Sequence, residues 1–249
     1  MSANKLKEKL LVIGLFNLLS MQLYSANIKY EPSCHQGIII QHNYYNLCYS
    51  ISNEISLWGS HLLRKSFVKG EEGRTEDFRK DEKIEESNVD EDSYKRSGFD
   101  RGHLVPAADM AKNFHSMSES FYMSNMTPQL PSFNRGIWKK LENQVRNWVL
   151  EGRDMIVITG AILPKEPEKV NDLISIPKFF YKIVFDFKNK NEMKMIAFLL
   201  PHEKSNKDLA EFAVSVDRIE DMTDLNFFNN LSIEEQVKLE SQVEVKDWW

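Results

Sequence analysis

The chain has 249 residues, of which 42% are hydrophobic and 28% charged, and its formal net charge is −5. This composition is ordinary for a globular protein, and the length allows a sizeable core in one large domain or two small ones. The acidic balance argues against a protein that only binds nucleic acid, because neutralisation of phosphates dominates such binding. Any groove for nucleic acid must therefore be basic locally.

Residues 1–26 have the organisation of a secretory signal peptide. Three lysines precede the apolar run LLVIGLFNLLSMQL, which Asn17 interrupts, and the small pair Ser25-Ala26 offers a cleavage site. The run is too short and too interrupted for a typical membrane span. We therefore predict a secreted or periplasmic protein, with residues 27–249 as a single domain and no stable membrane insertion after signal removal. An uncleaved signal that anchors the chain in a membrane is the alternative.

The segment that follows the signal predicts strands. IIIQH and YYNLCYSI alternate apolar and polar residues around a break at His42 and Asn43, and SLWGSHLLRKSF favours a short helix. The tyrosines here could stack on bases, although aromatic residues in strands more often pack in the core. Cys34 and Cys48 could pair in an oxidising compartment or remain free thiols, and their spacing carries no metal signature.

Residues 69–96 are heavily charged and lack an apolar period. We interpret them as a long surface excursion of one domain rather than a linker, because Phe78 and Ile84 could hold the segment against the core. Most of its charges are expected to be solvated. Read from the residues alone, Arg74 is one arginine among acids.

The sequence DRGH at residues 100–103 groups side chains that suit phosphodiester cleavage. His103 can take a proton from water near neutral pH, and Arg101 offers a planar fork for phosphate oxygens. Gly102 allows close backbone approach. Because Pro106 argues against a continuing helix, we place His103 in a short strand or at its end. The other five histidines are expected to be structural or superficial, and Asp109 and Glu119 to be surface charges.

From residue 134 onward the spacing predicts a helix. Its apolar face carries residues three and four apart: Trp138, Leu141, Val145, Trp148 and Val149. Glu142 lies inside this face, and Asn134 lies one turn before it begins. A carboxylate is rarely buried unless it is paired or near a metal, so we expect both side chains to point into one site. The alternatives are a helix N-cap for Asn134 and an ordinary salt bridge from Glu142 to Lys139 or Arg146.

The remainder of the chain predicts strands and then helices. MIVITGAIL, SIPKFFYKIVFDF and MKMIAFLLP predict three strands, the last two forming a hairpin. DRIEDMTDL predicts a short helix, and SIEEQVKLESQV predicts an amphipathic helix capped by Ser232. Lys178 and Lys182 could contact phosphate, but lysines on the exposed face of a strand are the simpler interpretation.

The ordered set DRGH, SNMTPQ, FNRG and a WxxLE helix resembles the DNA/RNA non-specific endonucleases, whose active site is of the ββα-metal, or His-Me finger, type. Upstream, GRTEDFRKDEKI resembles the Arg-x-x-x-Phe-x-x-Asp segment of that family, and the downstream strands follow its order. The resemblance covers roughly residues 38–241, and no matched position departs from the pattern. DRGH alone would be a moderate signal, whereas the ordered set is specific.

The resemblance implies a metal-assisted site. His103 matches the general base that activates water, and Asn134 matches the sole direct protein ligand of one Mg²⁺ ion. Glu142 matches a group that holds metal-bound waters. Mn²⁺ or another divalent ion is the alternative cofactor, since a hard cation needs little more than oxygen donors and water.

The resemblance also implies how the substrate is held. Arg74 and Arg101 match contacts to phosphate in the ground or transition state, and Asn125 matches a catalytic or substrate-binding residue beside the base. For Asn125, a hydrogen bond within a turn before Pro128 is the alternative.

The implied fold is α+β, with a central, mostly antiparallel β-sheet flanked by helices; periodicity alone supports only mixed helix and strand content. The implied function is Mg²⁺-dependent endonuclease cleavage of DNA and RNA that leaves 5′-phosphates. DNA and RNA are then the substrates, and a homodimer is an open expectation. Two alternatives are a phosphodiesterase that acts on smaller substrates and a non-catalytic, nucleic-acid-binding or inhibitor-like relative.

Overall fold

A computed structural model describes residues 30–189 and 192–249, so the predicted signal peptide lies outside the described residues. The strands are β1 (Ile38–Gln41), β2 (Tyr45–Ser50), β3 (Ile55–Leu63), β4 (Asp100–His103), β5 (Met126–Gln129), β6 (Met155–Ile162), β7 (Lys169–Val170), β8 (Ile174–Ser175), β9 (Phe179–Asp186), β10 (Lys194–Pro201) and β11 (Ala213–Val214). The α-helices are α1 (Lys65–Val68), α2 (Phe114–Glu119), α3 (Pro131–Phe133), α4 (Lys139–Leu150), α5 (Val216–Thr223) and α6 (Ile233–Glu240).

Seven strands form the central sheet, in the order β1-β2-β3-β6-β9-β10-β11, and every neighbouring pair is antiparallel. The predicted hairpin appears as β9–β10, and the two strands predicted around the break at His42 appear as the antiparallel pair β1–β2. With helices on both faces of this sheet, the α+β fold with a central antiparallel sheet is confirmed.

The two faces of the sheet bury separate cores because successive residues of a strand point in opposite directions. On β9, Phe180 and Val184 belong to the core beneath α4, while Tyr181 and Ile183 belong to the core beneath α5 and α6. The apolar face predicted for α4 is confirmed, since its members are all buried: Trp138, Leu141, Val145, Trp148 and Val149. Ser232 caps α6 through the expected reciprocal box with Glu235.

The helix expected over SLWGSHLLRKSF is wrong. Ile55–Leu63 is instead β3, the third strand of the sheet, and only Lys65–Val68 is helical. Trp58 packs in one core and Leu63 in the other, so both sides of the strand are covered. A strand buried on both faces does not alternate between buried apolar and exposed polar residues, so its pattern cannot be distinguished from that of a buried helix.

The charged excursion is fixed to the body of the protein as expected. Ile84 is fully buried, and Phe78 packs against the ring of Phe121. Cys34 and Cys48, whose pairing the sequence left open, form a disulfide bond that ties the segment before β1 to β2. Within the described residues, no helix has both the length and the apolar character needed to cross a membrane.

Candidate active site

A ββα unit stands beside the central sheet and carries the DRGH sequence. β4 pairs with β5 in an antiparallel ladder that sets Gly102 opposite Thr127 and His103 opposite Met126. The chain then passes through α3 and a π-helical turn, Asn134–Trp138, into α4. The kink of this turn lies at Gly136, and π-turns are frequent at functional sites.

Gly102 is required by packing within this unit. A Cβ atom at this position would lie 2.1 Å from the side chain of Gln129, which is fully buried on β5. No larger residue fits unless Gln129 moves. The glycine therefore allows the strand that holds His103 to lie directly against β5.

The imidazole of His103 is enclosed by aromatic rings and by two arginines. Its ring packs edge-on against Phe121 and Phe78, with centroids 5.0 and 6.0 Å away. The guanidinium of Arg101 lies 3.8 Å from the centre of the Phe78 ring, and that of Arg74 lies 5.0 Å from the centre of Phe121. Arg101 and His103 share one side of β4 because they are two residues apart.

The surroundings of His103 hold it in its neutral form. Burial, reinforced by the positive charges of Arg74 and Arg101, lowers the pKa of His103 to about 3. Its Nε2 atom is enclosed and has no hydrogen-bond partner among the described residues. The imidazole is therefore unprotonated throughout the physiological pH range, which is the state that a general base has before it takes a proton.

Asn134 is anchored to the other end of the same strand. Its side-chain nitrogen donates to Asp100 Oδ2 at 3.0 Å, and Arg135 donates to both oxygens of that carboxylate, at 2.9 and 2.6 Å. This arrangement fixes the orientation of the Asn134 amide. Because the nitrogen is held by Asp100, the amide oxygen, which accepts no hydrogen bond from the described residues, is the atom available to a ligand.

Glu142 lies in the first turn of α4 and is half-buried. Burial raises the pKa of Glu142 to about 7, against the opposing positive charges of Lys182, Arg146 and Arg74. Arg146 does not serve as its salt-bridge partner, because that side chain pairs with Asp109 at 2.7 Å. The positive charge of Arg74 lowers the pKa of both His103 and Glu142. Arg74 is therefore close enough to influence both the strand and the helix of the ββα unit.

A buried polar cluster lies beneath Glu142. Lys182 is 1% exposed, donates to Thr159 Oγ1, and lies over the Trp138 ring at 4.9 Å. Asp109, expected at the surface, is instead buried and accepts from His61 at 3.0 Å and from Arg146. The expectation of a solvated Lys182 is likewise wrong, since α4 covers the strand face that carries it.

Asn125 is fully buried beside the His103 strand. Its oxygen accepts from the backbone N–H of Val105, and its nitrogen donates to the carbonyls of Val105 and Ser120, each at 2.9 Å. The side chain therefore fastens the backbone that follows His103 to the loop after α2.

The donors present fit a hard divalent cation. Asn134 offers an amide oxygen whose orientation is set by Asp100, and Glu142 offers a carboxylate about two turns further along the helix axis. Oxygen donors with few protein ligands suit ions that retain bound water. No cysteine is available here, because both cysteines lie in the disulfide.

The sequence missed several residues that shape this site. Phe78 and Phe121 enclose the imidazole, and the pair His61–Asp109 with Lys182 lies behind Glu142. Phe78 carried a partial signal, because it belongs to the Arg-x-x-x-Phe-x-x-Asp segment. The buried charges carried none, since their partners come from distant parts of the chain.

The chain matches the family model of DNA/RNA non-specific endonucleases over residues 25–233. A nuclease of a Nostoc species is 31% identical, over 81% of this chain and 77% of its own. Human mitochondrial endonuclease G is 28% identical, over 75% of this chain and 68% of its own. Nuclease C1 of Cunninghamella echinulata is 31% identical, over 76% and 82%.

Among solved structures, a crystal structure of the complex between EndoG and EndoGI matches with a TM-score of 0.71 and 25% identity. The match covers 80% of this chain and 89% of the other. Fold, ββα unit and sequence therefore agree, and the chain belongs to the DNA/RNA non-specific endonuclease family as a hydrolytic endonuclease.

Proposed function

We propose that this enzyme cleaves DNA and RNA in a Mg²⁺-dependent reaction in which His103 is the general base. The observation that carries the proposal is the convergence, on one ββα unit, of a neutral imidazole, two arginines and the oxygen donors of Asn134 and Glu142. A base, a phosphate clamp and a metal ligand set are the parts that phosphodiester hydrolysis needs.

Asn134 would hold the ion directly, and Glu142 would act through water molecules. Mg²⁺ suits this set because it keeps several waters and needs few protein ligands; Mn²⁺ or another divalent ion would use the same donors. When bound, the ion supplies charge neutralisation at the scissile phosphate and its leaving oxygen.

The residues of the chain itself supply the remaining steps. His103 accepts a proton from the water that attacks phosphorus, the P–O3′ bond breaks, and the leaving 3′-oxygen takes up a proton from solvent water, which gives a 5′-phosphate and a 3′-hydroxyl. Arg101 and Arg74 hold the phosphate oxygens and offset the negative charge that accumulates in the transition state. Their stacking on Phe78 and Phe121 holds each guanidinium close to the imidazole.

Asn125 supports catalysis by position. Its three hydrogen bonds go to backbone atoms, so it fixes the strand end that carries His103 rather than touching the substrate. Loss of this amide would displace the base, and rates depend steeply on such placement.

We further propose that the enzyme is exported. The signal-like residues 1–26 and the disulfide between Cys34 and Cys48 support a secreted or periplasmic protein, since disulfides persist in oxidising compartments. Retention by an uncleaved signal is the alternative, and detection of the mature chain outside the cytoplasm, beginning near Asn27, would decide between them. The homodimer remains an expectation to be tested by light scattering.

The decisive experiment uses the chain from residue 27 with plasmid DNA and total RNA. Each substrate is incubated with Mg²⁺, with EDTA and with the His103→Ala variant. His115→Ala, which alters an exposed histidine, is the matched control. We expect degradation of both polymers by the wild type and the control, and none with EDTA or His103→Ala. Cleavage of bis-(p-nitrophenyl) phosphate but of neither polymer would instead favour the small-substrate phosphodiesterase.

A further inference from the structure

Three carboxylates meet on the sheet face opposite the catalytic unit. Asp217 and Glu220 lie on α5, Glu240 is the last residue of α6, and one oxygen from each lies within 4.8 Å of the others. Both helices pack on the core that excludes α4, because Ile219 of α5 and Leu239 of α6 belong to it. This cluster is therefore separate from the Asn134 and Glu142 donors.

Glu240 distinguishes this cluster from an ordinary acidic surface. Its side chain is 4% exposed, and its Oε1 atom is enclosed without a hydrogen-bond partner among the described residues. A buried carboxylate oxygen without a partner is costly, so one in a native fold needs an explanation such as an ion. Glu220 is half-buried and uses Oε1 to accept from the backbone N–H of Phe227 at 2.7 Å.

Neighbouring carboxylates raise the pKa of two members of the cluster, Glu240 and Glu220. Burial, reinforced by the charges of Glu220 and Asp217, raises the pKa of Glu240 to about 8. The pKa of Glu220 is raised by burial and by Asp217 and Asp221. Three carboxylates that lie this close together repel one another unless a proton or a cation joins them.

We propose that Asp217, Glu220 and Glu240 bind a Ca²⁺ ion that joins α5 to α6. Ca²⁺ takes six to eight oxygen ligands at about 2.3–2.6 Å, so two of its ligands can be about 5 Å apart. The oxygens of the cluster lie within that span. Mg²⁺, with bonds of about 2.0–2.1 Å and strict octahedral geometry, fits such a spread less well. The remaining ligand positions would be filled by water.

The expected consequence is thermal stabilisation by Ca²⁺. An ion that binds only the folded state shifts the unfolding equilibrium, and saturation would raise the Tm by about 5 °C for a chain of this size. The shift should persist in Asn134→Ala, which removes the proposed catalytic metal ligand. It should be lost in Glu240→Gln, which keeps the shape of the side chain but removes its charge. Glu234→Gln, an exposed position on the same helix, is the matched control.

The test is a thermal melt of the chain from residue 27 with EDTA or with Ca²⁺, followed by calorimetric titration of Ca²⁺ into Asn134→Ala and into Asn134→Ala/Glu240→Gln. One bound ion in the first protein and none in the second would support the site. Absence of a Ca²⁺-dependent shift in the wild type would overturn it and leave a proton shared between Glu240 and Glu220 as the explanation. A shift of equal size in Glu240→Gln would overturn it as well. If Glu240→Gln does not fold, Asp217→Asn supplies the same comparison from an exposed position.

Discussion

Strands β3, β6 and β9 carry three polar residues on the face beneath α4: His61, Thr159 and Lys182. On the opposite face, the next positions along the same strands are apolar: Leu62, Ile158 and Ile183. The backbone is the same for both sets, and Thr159 stands directly opposite Lys182 in the sheet. The two faces therefore differ in what covers them: α4 with Glu142 covers the polar residues, and α5 and α6 cover the apolar ones.

Around Leu62, Ile158 and Ile183 the opposite face of the sheet is covered by hydrophobic packing, and its buried polar residues lie elsewhere, where Ser60 and Asn46 donate to Glu31. Burial of charges is costly, and replacing a buried ion pair with apolar residues is often neutral or stabilising. The polar cluster beneath α4 is consequently not needed to form the sheet. Its position next to Glu142 is consistent with support of the half-buried carboxylate that we propose for the metal site.

The largest expected effect lies on the catalytic face. Replacing Asn134 with Ala removes the proposed metal ligand, and we expect cleavage of plasmid DNA to fall by about a thousandfold or more, since a metal ion supplies several kcal/mol of transition-state stabilisation. The Tm in EDTA should change little, because the side chain is bonded only to Asp100 near the surface. Asn147→Ala, at an exposed position of α4, should cleave normally. Equal rates for the two variants would reject Asn134 as the ligand.

The next effect should appear on the opposite face and in stability alone. Phe185 is fully buried among apolar residues, and its replacement with Ala should lower the free energy of unfolding by about 3–5 kcal/mol. Urea denaturation measures this loss. Because no polar group of the catalytic site contacts Phe185, kcat/KM measured well below the new Tm should match that of the wild type. A large fall in kcat/KM for still-folded protein would show that the two faces are coupled.

Much of the catalytic unit could be predicted because its information is local. The helix that carries Asn134 and Glu142 showed its apolar face in the spacing of Trp138 and Val145, and DRGH lies within four consecutive residues. The capping box of α6 is also local, with Ser232 and Glu235 three residues apart. Patterns of this kind depend on neighbours along the chain, which the sequence displays.

The remaining features depend on contacts between distant segments. Lys182 is the single charged residue in the apolar run FFYKIVF, and the packing of α4 over β9 buries it. Asp109 and His61 are 48 residues apart, so their pairing has no local signal. The disulfide likewise depends on the segment before β1 lying against β2.

The affinity of the catalytic face for Mg²⁺ should depend on pH. Because burial raises the pKa of Glu142 to about 7, a proton competes with the metal ion below that pH. The affinity for Mg²⁺ should therefore be constant above about pH 8 and fall by roughly tenfold per unit below pH 7. Calorimetric titration of Mg²⁺ into His103→Ala measures this dependence without cleavage. Glu142→Gln should bind weakly at every pH, and an unchanged slope in that variant would exclude Glu142 as the group that titrates.

The smallest effect concerns Lys182. Its replacement distinguishes an electrostatic role of the polar cluster from a purely structural one. Its positive charge lowers the pKa of Glu142, so Lys182→Met should raise that pKa further and move the loss of Mg²⁺ affinity to higher pH by about one unit. Near pH 7 the affinity would fall by about fivefold, and it would recover as the pH rises, because Glu142 is then ionised even without the charge of Lys182. Lys178→Met removes an exposed lysine from just before the same strand and should leave the curve in place. A uniform loss of affinity at all pH values in Lys182→Met would mean instead that the lysine only fills space beneath α4.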